Sequence, residues 1–173
     1  ARHLGTVGRA DDKARRVLAD QDEGGNIMSK TGTPSPLHVG LRHSERMTVM
    51  PHHTVPEVDA SWPGFRDMPP VFATAMMIGF VEQTCIEALR PRLASEQRTV
   101  GTHVDVSHVA ATPIGMSVVA EVELVAVDGR NLRFWVRCSD DAGAIGEGTH
   151  ERAIVDFDRF RKRVAEKKER FGV

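Results

Sequence analysis

Tyrosine is absent from the 173 residues, and aromatic residues together make up only 5% of the chain, so no tyrosine can serve as acid or nucleophile. Cysteine is scarce: Cys85 and Cys138 supply neither a disulfide framework nor a CxxC zinc site. That usage fits a reducing compartment and predicts a cytoplasmic protein. No apolar run approaches the roughly 18 residues of a membrane span, and the first residues lack the charged-then-apolar layout of a signal peptide. No sign of charge dominates. With 23 Lys+Arg against 24 Asp+Glu the net charge is −1, which removes any global attraction to nucleic acid or an anionic membrane. GxSxG, P-loop, GxGxxG and HExxH patterns are all missing, so nucleophile-elbow hydrolases and nucleotide-phosphate folds lose their main support.

What is present is an apolar share of 40%, ordinary for a globular protein, on a chain long enough for one domain. Residues 1–37 read as a flexible tail, because a segment poor in apolar residues and without aromatics cannot offset its ordering entropy. Within it, residues 1–27 read equally as native sequence or as an extension upstream of Met28. Residues 38–173 read as the folded domain. A short strand is expected over Arg46–Met50. The loop that follows carries Pro51, Pro56, Pro63, Pro69 and Pro70, a composition expected to block regular structure up to the last proline, and loops of this length are often lids.

From Val71 to Arg90 the spacing predicts one long helix, apolar on nearly all sides in its first half, with Gln83, Glu87 and Arg90 as its wet stripe. After Pro91 the period changes to alternation. Val104–Ala110, Val118–Ala126, Leu132–Cys138 and Ile145–Phe157 predict four strands, with turns at Asp128-Gly129 and Asp140–Gly143. A charged helix closes the chain over Asp158–Arg170 with net charge +4, either a solvated face or an edge for the phosphates of a ligand such as coenzyme A. The fold class is α+β, with an antiparallel sheet wrapped around one central helix.

Glu82 stands out because it falls on the apolar side of the helix with Ile78, Gly79, Ile86 and Leu89, where a carboxylate must find a partner, shift its pKa upward or do chemistry; its bland alternative is a partly exposed glutamate where the helix emerges from the core. Thr74 is the lone hydroxyl in the apolar run, near the helix start, where free N–H groups favour developing negative charge. Its bland alternative is a bond back to its own helix. His108 sits between apolar neighbours on the inner face of its expected strand, so it reads as a core histidine or a catalyst. His52-His53 has no third ligand at a recognised spacing, and no metal site is expected.

Three segments, PPVFATAMMIGFVEQTCIEAL, VGTHVDVSHVAATPIGMSV and GEGTHERAIVDFDRF, together with MTVMPHHTV nearer the start, resemble the fluoroacetyl-CoA thioesterase family in order and spacing. The similarity runs from about Val39 to Phe171. It implies the hot-dog fold, a homodimer, and hydrolysis of a short-chain acyl-CoA without a separate cofactor, coenzyme A being part of the substrate. By matching position it implies a catalytic Thr74, Glu82 and His108, and substrate-binding roles for Met68, Phe72, Gly101, Thr102 and Arg152. Met68 stands where the family places an aromatic lid residue, which loosens the implication of fluoroacetyl selectivity. Helical rise separates Thr74 from Glu82 by about 12 Å, so the two cannot bond directly within one straight helix. The glutamate then acts from a second subunit or on a water further along the substrate. A non-catalytic acyl-CoA-binding module and a hydratase or dehydratase on the same fold are the alternatives.

Overall fold

A computed structural model describes residues 36–173, so the expected tail lies almost wholly outside the described residues. Leu37, at its end, packs on the domain core. Five strands, β1 (Arg42–Thr48), β2 (Gln97–Val106), β3 (Ser117–Asp128), β4 (Asn131–Asp140) and β5 (Gly143–Asp156), form one antiparallel sheet in the order β1-β3-β4-β5-β2. Three α-helices accompany them: α1 (Pro63–Arg66), α2 (Thr74–Leu89) and α3 (Phe157–Arg170). The sheet packs on α2. This is the hot-dog arrangement that the resemblance implies.

Alternation builds the core. Val118, Ala120, Val122 and Leu124 of β3 and Leu132, Phe134, Val136 and Cys138 of β4 all point inward, because successive strand residues face opposite sides. They meet Met77, Val81, Cys85, Ala88 and Leu89 of α2. A buried side chain of this size contributes about 1.5–3 kcal/mol, and truncating Phe134 to alanine would cost about 3–5 kcal/mol through lost burial and a cavity. Beyond Leu124 a register shift breaks the alternation, and Ala126, expected to point inward, is exposed.

Five further expectations need correction. The first strand lies at Arg42–Thr48, earlier than Arg46–Met50. The proline-rich loop is not irregular: it holds two 3₁₀ turns, Pro51–His53 and Val55–Glu57, and then α1. Each has proline at its first or second position, where the missing N–H would have no partner anyway. The prolines therefore start turns there. The long helix begins at Thr74 because Val71 and Phe72 are tied into bridges with Pro113 and Thr54.

Finally, α2 is not enclosed on nearly all sides. Met77, Val81, Thr84, Cys85 and Ala88 form its buried stripe, while Ala75 and Gly79 are exposed and Ile78, Glu82 and Ile86 are half-buried. The expected wet stripe is present, with Gln83 donating to Glu87 and Arg90 pairing with the same carboxylate at 2.6 Å. Beside the open apolar stripe runs β2, an edge strand whose residues Gly101–Asp105 are all exposed. The strand expected over Val104–Ala110 runs instead over Gln97–Val106, so His108 lies just past it and not on its face. α3 packs on the end of β5 and buries none of its residues.

Candidate active site

Thr74 opens α2, and its position is fixed from both flanks. Phe72 N donates to Thr112 O at 2.8 Å, and Ala73 N donates to His53 O at 3.0 Å. Thr112 is fully buried and its hydroxyl donates to Asp140 Oδ2 at 2.8 Å. The segment preceding it carries His108, and Val109 N donates to Ile145 O at 2.8 Å. Two loops thereby meet at one point. Thr74 Oγ1 and His108 Nδ1 are 2.8 Å apart.

The surroundings suit proton transfer. Burial pushes the pKa of His108 below its ordinary value, with a backbone contact to Ala110 acting the other way, so the ring is mainly neutral at pH 7 and one of its nitrogens can accept a proton. Its Nε2 is buried without a partner. The buried Phe72 ring meets the imidazole edge-on at 6.3 Å. Ala73, the residue that caps α2, offers no side-chain acceptor. The N–H groups of the first turn consequently keep their hydrogen-bonding capacity, and the helix dipole adds positive potential there.

Glu82 lies two turns further on and engages other partners. Arg152 Nη1 donates to its Oε1 at 3.2 Å. Arg152 is almost wholly buried, and it donates from Nε to Thr99 Oγ1 at 3.0 Å and from Nη2 to Thr99 O at 3.1 Å. Gly101 faces the same carboxylate. A Cβ there would displace Glu82 Oε1 and press on the His150 ring, so glycine leaves the room in which the carboxylate sits. Thr102, next in sequence, is the unpaired residue of a β-bulge between Gly101 and His103, and bulges are frequent beside functional sites.

The eight positions marked by the sequence thus form two groups and one outlier. Thr74, His108 and Phe72 come together at the start of α2, while Glu82, Gly101 and Arg152 come together beside its middle, with Thr102 at the adjoining bulge. Met68 stands apart from both, half-exposed on the turn after α1. The residue that was missed is His150, which is fully buried and bonded to Arg152. Its signal was available: it lies two residues before Arg152 on a strand, so the two share a face. Among the described residues no group of three His, Cys, Asp or Glu could hold a metal ion. No helix of the described residues is long and apolar enough to cross a membrane.

This fold, with a hydroxyl–imidazole pair at the uncapped start of its central helix, belongs to a hot-dog thioesterase, an enzyme that hydrolyses thioesters. Residues 49–158 match the family described as FlK, fluoroacetyl-CoA-specific thioesterase. The chain belongs to that family. The fluoroacetyl-CoA thioesterase of Streptantibioticus cattleyicolor is 39% identical over 131 residues, covering 76% of this chain and 94% of that protein. A solved FlK structure superposes with TM-score 0.75 at 38% identity, covering 77% of this chain and 98% of that one, and a FlK mutant solved with acetyl-CoA gives the same TM-score over 76% and 98%. A hot-dog-like protein from Thermanaerovibrio acidaminovorans shares the fold, with TM-score 0.65 at 24% identity over 75% of this chain and 91% of that one.

Proposed function

We propose that this enzyme hydrolyses short-chain acyl-CoA thioesters, fluoroacetyl-CoA among them, as a cytoplasmic homodimer that needs no metal or organic cofactor. The observation that carries the reading is the 2.8 Å contact between Thr74 Oγ1 and His108 Nδ1 at the uncapped start of α2. Thr74 is the nucleophile. Its Oγ bonds to the thioester carbonyl carbon as the hydroxyl proton passes to neutral His108, and the first-turn amides of α2 receive the developing oxyanion. Collapse breaks the carbon–sulfur bond, and the imidazolium returns the proton to the leaving thiolate of coenzyme A. Water then cleaves the acyl-threonine ester, with a carboxylate as general base, which releases the free acid and restores the hydroxyl.

That carboxylate is Glu82 of the partner subunit in our reading. Helical rise keeps Thr74 and Glu82 of one chain about 12 Å apart, and each has its own partners within the chain. The open apolar stripe of α2, beside the exposed edge of β2, supplies the self-complementary surface that a two-fold dimer requires. Two such helices packed antiparallel would bring the middle of one to the start of the other. Met68, Phe72, Gly101, Thr102 and Arg152 then surround the acyl group and its thioester.

Mixed dimers test the arrangement directly. Thr74→Ala and Glu82→Gln subunits, each inactive alone, should regain activity when co-refolded, because one of the two sites then holds Thr74 from one chain and Glu82 from the other. Mixed dimers with no thiol release would place the glutamate in its own subunit's site.

A further inference from the structure

We propose that His150 is a positioning residue for Glu82: a neutral imidazole, pinned to the edge strand, that fixes the Arg152 guanidinium against the glutamate carboxylate. The proposal rests on the reading of Glu82 as a participant in hydrolysis and adds a device that holds it.

The bonding pattern sets the state of the ring. His150 Nδ1 lies 2.9 Å from the backbone oxygen of His103, which can only accept, so Nδ1 carries the proton. His150 Nε2 lies 3.0 Å from Arg152 Nη1, which can only donate, so Nε2 presents its lone pair. A second ring proton would set N–H against N–H beside a guanidinium. The ring is therefore neutral, and its 3.5 Å approach to Glu82 Oε1 is not an ion pair. Burial lowers the pKa of His150, as this arrangement requires.

Arg152 shows what the ring accomplishes. Its Nη1 carries two protons, one directed to His150 Nε2 and the other to Glu82 Oε1, while Nε and Nη2 are held by Thr99. With all four bonds made the guanidinium cannot rotate. Oε1 of Glu82 is then fixed, and Oε2 is free for water on the half-exposed side of the residue. Without the imidazole acceptor one Nη1 proton is buried and unpaired, which the fork relieves by turning away from the carboxylate. The anchor of the series is the carbonyl of His103, just past the bulge at Thr102, so the local course of β2 reaches Glu82 through two side chains. The charged groups facing the ring are Glu82 from α2 and Arg152 on β5, with the backbone of His103 from β2; Glu151, next on β5, acts on it from the other face of the sheet, where it pairs with Arg133.

The experiment compares His150→Gln with His150→Leu in the intact enzyme. Glutamine offers an N–H to His103 and an oxygen to Arg152, whereas leucine offers neither. His150→Leu should lose about a hundredfold in kcat with little change in KM, the scale of a misplaced catalytic group, and His150→Gln should recover most of that loss. Nitrogen-15 spectra of the unaltered enzyme should show a neutral His150 protonated on Nδ1 from pH 8 down to pH 6. An imidazolium signal in that range, or equal kcat for the two variants, would overturn the proposal. Glu82→Gln measured alongside separates the two levels. If it retains full turnover the role of Glu82 fails, while the tautomer measurement still decides whether the clamp exists.

Discussion

The start of α2 and its middle are only two turns apart, yet they are built on opposite principles. At the start, Thr74 and the half-buried His108 are neutral, joined by one hydrogen bond and supported by loops. At the middle, Glu82 meets a buried guanidinium carried by β5 and tied to Thr99 of β2. A neutral pair joined by one hydrogen bond leaves no buried charge uncompensated when either member is replaced. A buried cation bound to a carboxylate resists change, because losing either partner leaves the other uncompensated. A weakly held neutral pair and a firmly held carboxylate thus lie along one helix.

The sharpest way to break this contrast is to remove one member from each end. Thr74→Ala and His108→Ala should lower turnover by about 10²–10⁴, the usual scale for a positioned acid or base, with melting temperature nearly unchanged. Thr74→Ser should retain more activity because the hydroxyl survives. Arg152→Met should also lower turnover, but here the melting temperature falls with it, since Glu82 loses its partner and Thr99 two donors. Turnover and thermal melts on the same samples check both. A threonine variant that melts several degrees lower would erase the distinction.

A smaller effect concerns pH. The pKa of His108 is lowered, so kcat/KM should hold as pH falls to 6.5 and drop only below it, as the ring takes up a proton and can no longer accept from Thr74. For His150 the folded pKa is also lowered, so below pH 6.5 the unfolded chain binds more protons and stability declines on acidification. Melting curves and rate profiles over pH 5–8 resolve the two. An acid limb centred above pH 6.5 would contradict the depressed value for His108.

The smallest expected effect is on selectivity. Met68 is half-exposed and flexible, with Trp62 and Phe65 packed edge-to-face nearby at 5.0 Å. A methionine seals a pocket less firmly than a rigid ring, so acetyl-, propionyl- and fluoroacetyl-CoA should be hydrolysed with modest discrimination, increased several-fold by Met68→Phe. Steady-state constants for the three substrates decide it, and a strong native preference left unchanged by the substitution would exclude Met68 as the cause.

Much of this is legible in the sequence. The alternation of β3 and β4 is written in Val118–Leu124 and Leu132–Cys138, and the exceptional status of Glu82 and Thr74 follows from polarity on an apolar helix. What was hidden depends on long-range geometry. His108 reads as a strand residue because its neighbours Ser107 and Val109 still bond to β5, and nothing local marks where the regular ladder ends. Whether Glu82 is covered could not be decided from its apolar helix side, and the structure leaves it half-exposed. His150 went unnoticed because its meaning lies in partners on β2 and elsewhere on β5.

Ala73, finally, bears on how this enzyme could be improved. Serine at a helix cap typically stabilises by about 1 kcal/mol over alanine, so the native residue forgoes an easily gained increment. Ala73→Ser should raise the melting temperature by satisfying first-turn amides and, on the proposed oxyanion role of those amides, slow the reaction. Attempts to thermostabilise the enzyme would therefore meet a conflict at this position, where tolerance to heat and catalytic power draw on the same few N–H groups.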